Sequence, residues 1–187
     1  MNECILLIVK PDGMVKGLAG HVLRRFEETD LKLVGARLAR VTRELAATHY
    51  HHLRDKPFFD ELIRFITGEL HGGQDTVLAF AYTGEDAVSK GRAIAGATNP
   101  EEADYRSIRG SFGRVTTKGV FENVVHVSSD AIEGEREIKL WFSPDQVTAD
   151  LFPAVVRDGR RQWTDPGGPK TRTGPWPEEK RPPRTRV

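Results

Sequence analysis

The residues that could do chemistry are His126 and a set of cations distant from it in the chain. His126 closes a short β-branched run, Asn123-Val124-Val125-His126-Val127, and the chain turns at once toward a helix. A side chain at such a handover can be held rigidly and still meet a substrate. A neutral imidazole keeps one unprotonated nitrogen, so it can attack phosphorus once its tautomer is fixed. Lys10, Arg92 and Arg109 supply positive charge and Thr98 a hydroxyl donor. Together they are equipment for gripping a polyphosphate. The sequence holds neither G-x-x-x-x-G-K-[ST] nor G-x-G-x-x-G, so the grip is not one of the common phosphate-binding loops.

Other reactive types carry less. His49, His51 and His52 flank Tyr50. The 49/52 pair has the spacing to share a metal on a helix, but without a Cys or carboxylate set these histidines read as surface or capping residues. Gly110-Ser111-Phe112-Gly113 has the outline of a GXXG nucleic-acid loop. The lone Cys4, in an apolar run, reads as core filling.

The elements that must position these groups follow from pattern. Cys4 to Val9 is an apolar run stopped by Lys10-Pro11-Asp12-Gly13, a strand and its turn. Leu18, Val22 and Phe26 recur at helical spacing, with Asp30 as the expected left-handed terminator. Leu31 to Val41 alternates as a strand. Thr42 caps a helix running to about Leu53, and Pro57-Phe58-Phe59 opens another. Thr76 to Tyr82 is a third strand, Gly84 to Ala95 a helix, and residues 96–122 a long irregular excursion. A fourth strand ends at His126. Asp130 with Glu133 is a capping-box pattern ahead of a helix whose periodic face is expected at Ile132, Arg136 and Leu140. This order predicts an α/β (α+β) domain on the ferredoxin-like βαββαβ plan, an antiparallel sheet with packed helices.

The 187 residues suffice for one domain and an appendage. The formal net charge of +1 conceals an asymmetry. From Arg157 onward, nine Lys/Arg face four acids, so the remainder is net acidic and any anion site in it must be local. The division expected is a domain over residues 1–156 and a basic, Pro/Gly-rich tail over 157–187, disordered beyond Trp163. No apolar run is long enough to span a bilayer and no secretory leader pattern opens the chain, which predicts a cytoplasmic protein.

From Asn2 to about Pro144 the chain resembles the nucleoside diphosphate kinases. The resemblance rests on Ile8-Val9-Lys10-Pro11-Asp12-Gly13, on Tyr50 with Arg54-Asp55-Lys56-Pro57-Phe58-Phe59, and on Gly96-Ala97-Thr98-Asn99-Pro100. It continues in Ser107-Ile108-Arg109-Gly110, Asn123-Val124-Val125-His126 and Glu135-Arg136-Glu137-Ile138. It implies transfer of a γ-phosphate between nucleoside tri- and diphosphates through a phosphohistidine, with Mg²⁺ held mainly by the nucleotide's phosphates, in a homo-oligomer. Position by position it implies His126 as nucleophile, Glu137 as the carboxylate orienting it, and Ser128 as steadying Glu137. Lys10, Arg92, Thr98 and Arg109 fall at phosphate ligands, Tyr50 at a phenol near the nucleophile and Asn123 at a ribose contact. Phe58 falls at the base-stacking aromatic and Leu62 at an apolar base contact. The chain departs from the family at Val127, Ser129, Tyr105-Arg106 and Ser111, and its 69–75 and 114–121 regions are longer than usual. A β-branched Val127 requires ordinary dihedrals after the nucleophile. The competing reading is a catalytically silent relative that binds nucleic acid or acts as a scaffold through the basic tail. The full set of matched catalytic positions weighs against it.

Overall fold

The structure, a computed structural model, describes residues 2–164. In chain order the first half comprises β1 (Asn2–Val9), α1 (Pro11–Val15), α2 (Ala19–Glu27), β2 (Lys32–Arg40), α3 (Arg43–His49), α4 (Phe59–Ile66) and β3 (Thr76–Glu85). There follow α5 (Ala87–Ala95), α6 (Ile108–Phe112), β4 (Arg114–Val115), β5 (Phe121–Glu122), β6 (Val125–Val127), α7 (Ala131–Trp141), β7 (Ala154–Arg157) and β8 (Arg160–Trp163). Four strands form one sheet in the order β2-β3-β1-β6, every neighbouring pair antiparallel. That is the expected ferredoxin-like plan.

The period of two along β1 divides the core. Leu6 and Ile8 face a cluster completed by α3, α4 and α7, including Leu45, Ile66 and Trp141. Ile5, Leu7 and Val9 face the opposite cluster, completed by α2, α5 and α6. An unbroken apolar run is what a strand covered on both faces needs.

Several boundaries differ from expectation. β3 runs to Glu85 rather than Tyr82, and the helix starts at Ala87 rather than Gly84. Gly84 belongs to the ladder opposite Glu3, where a Cβ would come within 2.8 Å of Leu31, so the glycine serves close packing. The left-handed turn lies at Asp86, φ 53°, whereas Asp30 is not left-handed; its carboxylate receives Lys90 Nζ at 2.7 Å. On α7 the buried residues are Gly134, Glu137, Ile138 and Trp141, and Ile132 is 82% exposed. The expected face was wrong because a buried carboxylate does not register as apolar. Within 96–122 the excursion contains α6 and the β4–β5 hairpin.

Residues 154–163 form the β7–β8 hairpin. Trp163 Nε1 donates to the Phe142 carbonyl at 2.7 Å, and its ring lies 5.6 Å from that of Phe152. The boundary expected at Arg157 therefore falls inside a hairpin attached to the domain. The tail beyond it, residues 165–187, lies outside the described residues.

Candidate active site

His126 sits at the middle of β6, opposite Ile8 of β1. Its neighbours Val125 and Val127 join the α2/α5/α6 core, so alternation turns the imidazole to the other side. There α7 brings Glu137. Asp130 caps that helix, accepting the Glu133 N–H at 2.9 Å. A Cβ on Gly134 would fall 2.0 Å from the Cys4 carbonyl oxygen, so the glycine lets α7 lie against β1. The two Glu137 oxygens stand 2.9 and 3.0 Å from His126 Nε2. The Ser128 hydroxyl donates to Glu137 at 2.6 Å and accepts the Leu6 N–H at 2.9 Å. Burial by itself would raise the Glu137 carboxyl, but the His126 ring, with His49 and Ser128, outweighs it and holds the group well below the usual carboxylate range. A carboxylate engaging Nε2 places the ring hydrogen there and leaves Nδ1 with its lone pair.

Around this pair opens a cleft of about 660 Å³. Lys10, at the end of β1, is buried with its Nζ 4.4 Å over the Phe65 ring. Burial, reinforced by Arg109 and opposed by Asp12 and Glu122, lowers its pKa to about 8. Arg109, on α6, donates to the Gly96 and Val125 carbonyls at 2.9 and 3.0 Å. Burial and then the Arg92 charge lower its pKa to about 10, so it remains a cation. Arg92 and Thr98 are exposed on the cleft wall. Asn123 Nδ2 donates to the Thr98 carbonyl at 2.8 Å, and its buried Oδ1 is an acceptor without a protein partner. The Tyr50 ring lies 6.1 Å from that of His126, and burial, then Glu137, push its hydroxyl pKa up, keeping it a donor. Phe58, 51% exposed, and half-buried Leu62 line the outer cleft. Every residue to which the resemblance gives a site role therefore lines this one cleft, except Ser128, which contacts Glu137.

Val127 does take ordinary dihedrals; the left-handed residue is Val124, φ 66°. A β-branched side chain there costs on the order of 1–3 kcal/mol. Neighbouring hydrogen bonds hold it: buried Asp12 accepts the Val124 N–H at 2.8 Å, and the Lys10 N–H donates to the Val124 carbonyl at 2.8 Å. These hydrogen bonds fix the chain two residues ahead of His126.

Sequence reasoning missed two features. His49 is not a surface or capping residue: it is 1% exposed, with its ring 4.4 Å from that of His126. Its signal was available, because Leu45, Ala46 and His49 fall on one helical stripe. The β4–β5 hairpin also contributes Gly119, Val120 and Phe121 to the cleft. Pairing two two-residue strands leaves no periodic pattern to read. The GXXG outline is packing rather than a loop: Ser107 caps α6 there, and a Cβ on Gly110 would fall 2.1 Å from the Asp104 carbonyl oxygen.

A carboxylate-oriented histidine facing a cation-lined cleft, on a ferredoxin-like sheet, defines a phosphoryl-transfer site. The family model described as nucleoside diphosphate kinase matches residues 3–147. A nucleoside diphosphate kinase of Staphylococcus aureus is 42% identical over 151 residues, covering 81% of this chain and 95% of the relative. Among solved structures, the Halobacterium salinarum nucleoside diphosphate kinase in complex with CDP aligns with a TM-score of 0.71 at 36% identity, over 84% of this chain and 95% of that one. The Borrelia burgdorferi enzyme, a transition-state mimic with bound vanadate and ADP, aligns with a TM-score of 0.71 at 31% identity, over 84% and 94%. The chain belongs to the nucleoside diphosphate kinase family.

Proposed function

We propose that this protein is a nucleoside diphosphate kinase whose His126 carries the phosphoryl group between nucleotides. The observation that supports this most is the contact of His126 Nε2 with buried Glu137, which frees Nδ1 at a cleft lined by Lys10, Arg92 and Arg109. In the first half-reaction the Nδ1 lone pair attacks the γ-phosphorus of a nucleoside triphosphate. A phosphorus–nitrogen bond forms and the bond to the β-phosphate oxygen breaks, releasing a nucleoside diphosphate. His126 Nε2 keeps its hydrogen, donated to Glu137, whose charge offsets the positive charge on the ring. In the second half-reaction a terminal oxygen of another diphosphate attacks the same phosphorus, and the phosphorus–nitrogen bond breaks. Little acid–base work is needed, so positioning and charge neutralisation carry the rate.

Lys10, Arg92, Arg109 and the Thr98 hydroxyl grip the phosphates, Tyr50 stands as a donor beside the ring, and Asn123 Oδ1 receives a ribose hydroxyl. Phe58 offers a face to the base and Leu62 its apolar edge, recognition that every base can satisfy. Among the described residues the group spaced for a metal is His49, His126 and Glu137, a donor set unsuited to Mg²⁺. Mg²⁺ would arrive on the nucleotide, where it would neutralise phosphate charge. The proposal extends to a cytoplasmic homo-oligomer. Edge strand β2, with Leu33 and Leu38 exposed, offers a seam, and no described helix is long and apolar enough to cross a membrane.

Initial rates with ATP and a diphosphate acceptor test the reading. Parallel double-reciprocal lines, abolished in His126→Ala, are expected. Intersecting lines would mean direct transfer without a carrier.

A further inference from the structure

Beside the nucleophile lies a buried titratable group that the transfer scheme leaves unused. His49 ends α3, and its ring meets those of His126, Tyr50 and Trp141 edge-on, at 4.4, 4.4 and 5.7 Å between centroids. Its hydrogen can be placed by deduction. Indole nitrogen is a donor only, and Trp141 Nε1 stands 3.2 Å from His49 Nδ1. Nδ1 must therefore accept. Burial, and then His126, lower the ring's pKa well below its ordinary value, so it is neutral. A neutral imidazole with an accepting Nδ1 carries its hydrogen on Nε2. That nitrogen has no hydrogen-bond partner and stands 3.8 Å from Glu137 Oε1, an oxygen 2.9 Å from His126 Nε2.

We propose that His49 is a positioning residue for phosphoryl transfer, its Nε2–H held by Trp141 so as to support the Glu137 carboxylate as the His126 ring gains positive charge. This rests on His126 as the phosphoryl carrier. Ser128 donates to Oε2 and His49 faces Oε1, where the Arg136 guanidinium also stands, 4.0 Å away. At 3.8 Å the His49 contact is electrostatic, and a closure of about 1 Å makes it a hydrogen bond, the tightening catalytic contacts undergo on loading. A neutral donor suits the task better than a cation. A close ion pair would draw the carboxylate's charge away from His126, whereas an N–H orients it and leaves the charge in place; the Arg136 guanidinium is engaged by Glu133 at 2.7 Å and stays at the margin of Glu137.

The same three residues have the spacing of a metal site, with ligand atoms within 4.8 Å of one another. The tautomer argues against that use. Ligation through His49 Nε2 would move the hydrogen to Nδ1, facing the Trp141 N–H, donor against donor. Metal-ligating histidines donate from their second nitrogen, and this one accepts.

Two measurements test the proposal. In ¹⁵N-labelled full-length protein, long-range ¹H–¹⁵N correlation is expected to show the Nε2–H tautomer for His49; an Nδ1–H tautomer overturns the proposal whatever the activity. Single-turnover phosphorylation by ATP then compares His49→Gln with His49→Phe. The glutamine amide can present an N–H near the Nε2 position, and a rate within about threefold of wild type is expected. Phenylalanine fills the volume without a donor, and a loss of about tenfold is expected. A wild-type rate in His49→Phe, or equal losses in the two variants, overturns the proposal. So does stoichiometric Co²⁺ binding with a tetrahedral absorption band that His49→Gln abolishes. A wild-type protein that forms no phosphohistidine overturns the carrier assignment, and this role with it. That failure is distinct, because the tautomer would still read Nε2–H.

Discussion

The buried side chains around His126 tie chemistry to protonation. Glu137 meets His126 with both oxygens, so Glu137→Gln should keep the volume and lose the charge. An amide can still accept the Nε2–H, but it cannot offset the cationic ring. Single-turnover phosphorylation should slow by about 1–3 kcal/mol, with nucleotide affinity little changed. An unchanged rate would remove Glu137 from the mechanism. Lys10 predicts a pH effect on binding. Its buried ammonium has a pKa of about 8, so the free protein loses this cleft cation as pH rises through that value. KM for the triphosphate should rise above about pH 8, while kcat changes less because bound phosphates keep the lysine charged. Stability runs the other way. Between about 8 and the ordinary 10.5 the unfolded chain holds more protons, so the fold gains stability as pH climbs through that window. Lys10→Met should flatten the KM profile. A wild-type KM independent of pH would contradict the lysine's role.

At the scale of elements, helix caps and one hairpin hold the site. Asp130→Ala removes the cap of α7, the helix that carries Glu137, and should cost about 1 kcal/mol in denaturant unfolding. A wild-type midpoint would show that the cap does not set the helix. Glu122 ties the β4–β5 hairpin to the domain, meeting Lys16 at 2.9 Å, Arg114 at 2.7 Å and His71 at 3.6 Å. The Arg114 hydrogen bond, helped by Lys16 against burial, holds its pKa to about 2. Because the folded value lies below the ordinary 4.5, this contribution is complete above 4.5 and lost as pH falls through about 2. Glu122→Gln should soften the acid dependence of unfolding; an identical acid limb would show the tie to be idle. The sequence made the sheet legible, because β1 is a continuous apolar run and β2 alternates. It also picked out the histidine and the cations that the structure gathers in one cleft, through motifs in which charged residues stand at turns. It could not yield the buried stripe of α7, since Glu137 occupies a core position on the strength of partners elsewhere in the chain. Nor could it place the left-handed residue, which long-range hydrogen bonds with Asp12 and Lys10 fix at Val124. His49 was misjudged for the same reason: polarity suggests the surface until the face it shares with Leu45 and Ala46 is weighed.

At the scale of the molecule, one sheet buries two cores and presents its functional groups to one cleft. The described chain closes on the β7–β8 hairpin, and Trp163 fastens it through the Phe142 carbonyl and the Phe152 ring. Ending the chain after Gln162 removes that anchor and should lower stability by on the order of 2 kcal/mol, while ending it after Thr164 keeps every described contact. Equal thermal midpoints for the two truncations would show that the hairpin adds nothing. The proposed transfer passes through one covalent intermediate. Full-length protein mixed briefly with ATP and Mg²⁺, without an acceptor, is read by intact mass and ³¹P NMR. The prediction is one added phosphoryl group per chain, lost in acid and stable in base, with the phosphorus on Nδ1 of His126 and discharged by added diphosphate. Label that survives acid, persists in His126→Ala, or sits on Nε2 would contradict the account.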